Sequence, residues 1–223
     1  MTVTIVTANY GDLDTPIEQP QQDIPCRWVC VTRIPKPSAT WENVVEPRPY
    51  LTDRMAAKVP KWRPDRYTDD EIVVWFDGSV TLKHPGAVRK FIEPLHQGYD
   101  LAIVPHPHWN TVERESRVAQ TQNRHVGQML EEQYLSYHEE FGEPGPDVWA
   151  TAVTARRVTS ETCAFGDAVL LELLRWSVHD QLCAPAVIHR MGLKVGRIDV
   201  EGHFYFGNPY SYLRVLNRPE DGE

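Results

Sequence analysis

The sequence predicts an α/β fold in which a mostly parallel central sheet is covered on both faces. Short apolar runs recur at Val3–Thr7, Trp28–Val31, Ile72–Phe76, Leu101–Val104 and Val195–Ile198, as strands of a buried sheet require. Segments of helical period separate them, the alternation that builds α/β layers. The 223 residues are 41% hydrophobic and 24% charged, ordinary globular usage and enough for one domain with its own core.

Val3–Thr7 opens as a strand, and Ala8-Asn9-Tyr10-Gly11-Asp12 turns out of it. Residues 12–25 are polar and proline-bearing and read as a loop; Trp28–Val31 is the second strand. Residues 33–50 hold four prolines, Pro35, Pro37, Pro47 and Pro49, which implies an irregular connection. Thr52 can cap a short helix to about Lys58, and Pro60 is expected to stop it. Ile72–Phe76 reads as a central strand that Asp77-Gly78 breaks. Pro85, in a first turn, opens a helix to about Leu95. Leu101–Val104 is a strand ended by Pro105, and one long polar helix is expected over about 112–140, with a break at Gly142 to Pro146. Val169, Leu170, Leu173, Leu174 and Trp176 place a helix within Ala164–His179. Pro185–Met191 reads as a further helix closed by Gly192. The expected domain is 1–216, and 217–223 is a polar tail.

Lys and Arg number 23 against 31 Asp and Glu, a formal net charge of −8. General nucleic-acid binding is disfavoured, because neutralising phosphates needs a basic face. A small anionic ligand remains compatible where positive charge is local. No apolar run approaches the roughly 18 residues of a membrane span. Met1 to Val6 lack the basic and long apolar stretches of a signal peptide, so a cytoplasmic location is expected. Cys26, Cys30, Cys163 and Cys183 form no C-x-x-C pair and read as free thiols. P-loop, dinucleotide-fingerprint and hydrolase-elbow motifs are absent.

Ligands of open α/β sheets bind at the carboxyl ends of strands, which places Asn9, Asp77, His106 and His108 on one rim. Asp77 follows an apolar strand and precedes Gly78 and Ser79. Such a carboxylate can hold a hard divalent cation or a substrate; Asp-Gly also makes a plain turn. Arg54 and Lys58, four apart, share a helix face. Residues 53–66 hold five basic and two acidic side chains, net +3, so they can hold a diphosphate or form a solvated surface. His106-Pro107-His108-Trp109 can bind metal, phosphate or sugar. Glu113 and Glu115 follow as possible bases, or as first-turn acids that suit the helix dipole. Asp180 and Gln181 can clamp vicinal hydroxyls, or Asp180 can cap a helix. His203, in an aromatic and glycine-punctuated run, can complete a metal or phosphate site or pack in an edge strand.

The ordered set Thr7-Ala8-Asn9-Tyr10-Gly11, Arg54-x-x-x-Lys58, Trp75-Phe76-Asp77-Gly78-Ser79, His106-Pro107 and Asp180-Gln181-Leu182 resembles a glycosyltransferase-like family, formerly an uncharacterised domain, of plant cell-wall, bacterial and phage proteins. The resemblance spans about residues 3–205. It implies a GT-A-like, Rossmann-like single-domain sandwich and hexosyl transfer from a nucleotide-sugar donor, UDP-linked, to a glycan or protein acceptor, with Mn2+ or Mg2+. It further implies that Asp77, with Gly78 and Ser79, binds metal and donor; that Arg54 and Lys58, with Asn9, lie near the donor phosphates; and that His106, His108, Trp109 and Gln181 meet the acceptor or sugar. Asp180 or Glu115 then stands as base. The chain departs from the family pattern where Trp109 and Glu113 occupy the places of an arginine and a tyrosine and only Glu115 keeps the second of the paired acids that follow, and where Ser79 stands in place of a second metal-binding acid. A phage source would place the protein in the host cytoplasm.

Two other readings use the same residues. A metal-dependent nucleotidyltransferase or phosphohydrolase would need the same carboxylate and basic patch. Seven Trp and nine Tyr also suit a non-catalytic carbohydrate-binding or virion-associated module.

Overall fold

The computed structural model describes residues 2–11, 16–142 and 145–199, and the backbone of a strand at Leu213–Val215. The strands are β1 (Val3–Asn9), β2 (Cys26–Thr32), β3 (Glu42–Val45), β4 (Ile72–Phe76), β5 (Val80–Leu82), β6 (Leu101–Pro105), β7 (Trp149–Arg157), β8 (Val195–Arg197) and β9 (Leu213–Val215). The helices are α1 (Asp53–Trp62), α2 (Ala87–His96), α3 (Val112–Gln120), α4 (Leu130–Phe141), α5 (Ser160–Arg175) and α6 (Asp180–Met191). Seven strands form one sheet in the order β3-β2-β1-β4-β7-β6-β8, while β5 and β9 pair separately. Neighbours run parallel except at β7, which is antiparallel to both β4 and β6. The α/β class and the mostly parallel sheet therefore hold.

Strand side chains alternate between two faces, and each face is covered. Val3, Ile5, Val74 and Phe76 pack with Phe91, Ile92 and Leu95 of α2. The Phe76 and Phe91 rings meet edge-on at 5.7 Å, a favoured aromatic geometry. On the other face Val6, Val73 and Trp75 meet Ala56 of α1, and Leu101 and Ile103 meet Phe165, Val169, Leu182 and Val187 of α5 and α6.

Several expected boundaries move. β3 lies inside the proline-bearing connection, held by parallel pairing to β2. β7 is a strand that apolar runs do not reveal: it reads Trp-Ala-Thr-Ala-Val-Thr-Ala-Arg-Arg, and small alanines face the α2 layer while Thr151, Thr154 and Arg156 are buried polar residues. The expected helix over 112–140 is two helices, α3 and α4, parted by a 3-10 turn at Asn123–His125 and by Gly127 at φ +78°, a backbone state open mainly to glycine. Pro60 does not stop α1: the Arg63 N–H still donates to the Val59 carbonyl at 2.8 Å and closes the last turn. Pro85 precedes α2, with Gly86 as the cap residue. α5 starts at Ser160 because Thr159 and Thr162 cap each other reciprocally. α6 starts at Asp180, with Pro185 inside it, so Asp180 stands in a first turn. Gly192 closes α6 at φ +63°, as expected. The 217–223 tail lies outside the described residues. No helix among the described residues is long and apolar enough to cross a membrane.

The end of α1 is fixed from two sides. The buried Arg156 guanidinium donates to the carbonyls of Trp62 and Lys61, each at 3.0 Å, satisfying groups that a helix end leaves unpaired. Burial pushes the pKa of that guanidinium down to about 10, so it stays charged at neutral pH. From α5, Gly166 lies so close that a Cβ would stand 1.8 Å from the Trp62 carbonyl oxygen. Gly166→Ala is therefore expected to cost about 3 kcal/mol by forcing two helices apart. That corresponds to a melting midpoint roughly 6–12 °C lower; an unchanged midpoint in a thermal scan would show that this contact does not constrain α1.

Candidate functional site

The direction of strand succession reverses between β1 and β4: β2 and β3 lie on one side of β1, and β4 on the other. Crevices at such reversals, outside the carboxyl ends of the strands, are where doubly wound sheets bind ligands. Thr7, Ala8, Asn9, Trp41, Asp77 and Gly78 line a recess there. Asp77 through Val80 form a turn closed by the Val80 N–H on the Asp77 carbonyl at 2.9 Å, and the Asp77 N–H donates to the Ala152 carbonyl at 2.8 Å. A Cβ on Gly78 would touch the Ala8 carbonyl oxygen at 3.4 Å. Asp77 thus belongs to a turn and to the rim at once, and Ser79 shares that turn. The Asn9 side-chain oxygen accepts from Lys36 Nζ at 2.8 Å.

Beneath the rim lies a chain of four opposite charges. Lys61, on the last turn of α1, is 3% exposed. Its ammonium donates to Asp77 Oδ1 at 3.0 Å and to Thr151 Oγ1 at 3.2 Å, and lies 2.9 Å from Asp180 Oδ2. Lys58 Nζ reaches the same Asp180 oxygen at 2.7 Å. Trp75 Nε1 donates to Asp77 Oδ1 at 2.8 Å. Burial alone would raise the Asp180 pKa, but the two ammonium groups outweigh it and hold this carboxyl well below the usual range. Burial also opposes the charge on Lys61, yet Asp180 and Asp77 together hold its pKa above the ordinary value. For Lys58 burial wins and its pKa falls, the nearby Asp180 offsetting only part of it. Asp180 is thus a counter-ion and not a helix cap, consistent with the lack of a side-chain cap at the start of α6.

Arg54, one turn earlier on α1, reaches elsewhere. It donates to the Arg124 carbonyl at 3.1 Å and lies 3.5 Å from His125 Nε2. Arg54 thus reaches the Arg124 carbonyl and His125, while Lys58 reaches Asp180.

A second cluster surrounds Glu115 on α3. His179 Nε2 donates to Oε1 at 2.6 Å, Trp109 Nε1 donates to Oε2 at 2.7 Å, and His106 Nε2 lies 3.4 Å from Oε2. The Trp109 and His106 rings lie 4.4 Å apart, and His108 stands 5.4 Å from the indole. Burial would raise the Glu115 pKa, but the His179 and Trp109 hydrogen bonds bring it below the ordinary value. Burial lowers the pKa of both His106 and His179. His125, whose ring is 4.6 Å from that of His179, is pushed down to about 3 by burial and then by the His179 and Arg54 charges. Glu113 pairs on the helix surface with Arg117 at 2.6 Å, the role that its first-turn position suits. Gln181 donates weakly to the Trp149 carbonyl at 3.4 Å. The adjacent residues His179 and Asp180 join the two clusters at the start of α6. His203 lies outside the described residues.

Lys61, Trp75, Thr151, His125 and His179 enter the site without having been singled out from the sequence. Lys61 was legible only as one of five basic residues, and Thr151 sits on the unrecognised strand β7. A divalent ion bound through one or two carboxylates takes its remaining ligands from phosphates and water. Here Asp77 Oδ1 already serves an ammonium and an indole N–H, and Asp180 Oδ2 serves two ammonium groups. Among the described residues no group of three His, Cys, Asp or Glu is arranged to hold a metal ion. The donor set around Asp77 therefore does not fit a cation resident in the free chain.

Comparison with models of known protein families finds none that matches this chain, and comparison with curated proteins finds no match either.

The Asp180 pKa is depressed on folding, so the unfolded chain takes up its proton first. The stabilisation is whole above roughly pH 4 and is lost as pH falls from there toward the folded-state value. Asp180→Asn is expected to cost about 3–5 kcal/mol at neutral pH, since it leaves two buried ammonium groups facing a neutral amide. It should also flatten the fall in stability below about pH 4. Urea titrations across that range check both; a variant within about 1 kcal/mol of the parent would remove Asp180 from this role.

Proposed function

We propose that the chain is a glycosyltransferase with a GT-A-like fold, transferring a sugar from a UDP-linked nucleotide-sugar donor to a glycan or protein acceptor. The observation that carries this reading is the alternating chain Asp77–Lys61–Asp180–Lys58, set at the β1/β4 reversal with Asp77 at its outer end. A nucleotide sugar offers two things to such a rim, hydroxyls and a diphosphate. Asp77 Oδ2 accepts a ribose or sugar hydroxyl. Lys58 opposes the negative charge that grows on the diphosphate as the bond from the anomeric carbon to its oxygen breaks, a fixed charge aimed at the leaving group. Arg54 adds to that field. The acceptor hydroxyl forms the new bond to the anomeric carbon as the bond to the diphosphate oxygen breaks; the diphosphate leaves with that electron pair, and the hydroxyl proton passes to water.

Aromatic faces suit sugar rings, and the His106–Trp109 corner with His108 supplies one beside the rim. Glu115 and Asp180 act here as fixed counter-ions: both Glu115 oxygens accept from protein N–H groups, Asp180 Oδ2 faces two ammonium groups, and each pKa is held below the ordinary value, which suits neither to accept a proton near neutral pH. Gln181, next to Asp180, orients hydroxyls. The Mn2+ or Mg2+ that the family resemblance implies enters none of these steps.

A panel of nucleotide sugars tests the reading. The true donor, at a hundred times its dissociation constant, adds about 2.7 kcal/mol, a rise in melting temperature of roughly 5–10 °C. Turnover should release nucleoside diphosphate; release of pyrophosphate or inorganic phosphate instead would establish the nucleotidyltransferase or phosphohydrolase alternative. Asp77→Ala is expected to abolish turnover while leaving the circular-dichroism spectrum unchanged, and full activity in that variant would refute the role given to Asp77.

A further inference from the structure

We infer that Lys61 occupies the place on Asp77 that a divalent cation would need, so that the rim binds a nucleoside diphosphate without metal. The inference rests on the glycosyltransferase reading and concerns its cofactor requirement. The Lys61 ammonium donates to Asp77 Oδ1 and Thr151 Oγ1 and lies 2.9 Å from Asp180 Oδ2, so each of its three donors has an oxygen within reach. The backbone that carries this side chain is fixed, because Arg156 pins the carbonyls of Lys61 and Trp62 and Gly166 closes on the next peptide, and the side chain itself is 3% exposed. Were Lys61 to move, Asp180 would lose one of its two cations in a buried setting, which is strongly unfavourable. The second group on Asp77 Oδ1 is the Trp75 indole N–H, a donor that cannot ligate a cation.

A divalent ion seated on Asp77 would therefore share one carboxylate with a buried ammonium that already lies 3.0 Å from its Oδ1, and like charges sharing one carboxylate repel. The ammonium already neutralises Asp77, and neutralising the rim carboxylate is one task that a bound cation would perform for an incoming diphosphate. Among the described residues Asp77 Oδ2 takes no protein donor, and beside the Lys61 ammonium this acceptor suits a hydroxyl better than a second cation. Lys61 is a positioning residue in this scheme: it touches Asp77 and not the substrate.

The test titrates UDP into the full chain by calorimetry, once in EDTA and once in Mn2+, and follows Mn2+ binding to the free chain by the loss of its electron paramagnetic resonance signal. The expected result is a dissociation constant that agrees within about twofold between the two conditions, with no uptake of Mn2+ by the free chain. In Lys61→Met, affinity in EDTA should fall by about tenfold or more, a change of about 1.4 kcal/mol, and Mn2+ should restore it, because the vacated carboxylates then accept the ion. UDP binding that appears only with Mn2+ overturns the inference and leaves the glycosyltransferase reading standing. Equal UDP affinity in parent and Lys61→Met overturns the role of Lys61. If neither UDP nor ADP, GDP or CDP binds under either condition, the functional reading itself fails, and this inference with it. Should Lys61→Met not fold, the comparison of EDTA with Mn2+ on the parent chain decides alone.

Discussion

A lysine buried at the end of a helix holds this molecule's rim together. Lys61 joins four elements through one side chain: α1 carries it, the turn after β4 supplies Asp77, β7 supplies Thr151 and α6 supplies Asp180. Taking an ammonium out of water costs several kcal/mol unless its partners are well placed. The partners here are two carboxylates and a hydroxyl, and the Lys58 ammonium restores neutrality on the far side of Asp180. That arrangement is only possible where α1 stops at a defined residue, which is what Arg156 and the close approach of Gly166 enforce. The fold and the candidate site are thus linked through one helix terminus.

The second cluster obeys the same logic with hydrogen bonds in place of ion pairs. Glu115 gathers two N–H donors and the edge of a third ring, and so fixes the orientation of Trp109 and His106 at the surface. Rigid donors and acceptors, set before a ligand arrives, need no reorganisation when charge develops. The His179–Asp180 dipeptide belongs to both clusters, so a shift in the first turn of α6 would disturb the diphosphate side and the aromatic side together.

The sequence made legible those parts of the fold that depend on local pattern. Ile72–Phe76 and Leu101–Val104 are strands because every residue is apolar and buried. Asp77 reads as a rim residue because it directly follows one of them. β7 was not legible: three of its positions in the core against α2 are alanines, small because α2 packs tightly there, while Thr151 and Arg156 serve buried polar partners. The break within 112–140 turned on Gly127, one residue in a polar stretch. The pairing of Lys61 with Asp180 could not be read at all, since 119 positions separate residues whose only bond is tertiary. The Arg54–Lys58 spacing was visible and predicted one shared face, yet Arg54 turns to the Asn123–His125 segment, because a carbonyl and a histidine lie within its reach.

The reversed strand has a consequence for how the chain is made. β3, β2, β1 and β4 come from the first third of the sequence, and pair in that order. During synthesis this segment can assemble early, yet β4, apolar along its whole length, would then offer a bare edge to any other nascent chain. Only when Trp149–Arg157 leaves the ribosome does that edge receive its mate. The interval between those two events is the stretch of biosynthesis in which this protein is most exposed to clumping and most in need of a chaperone.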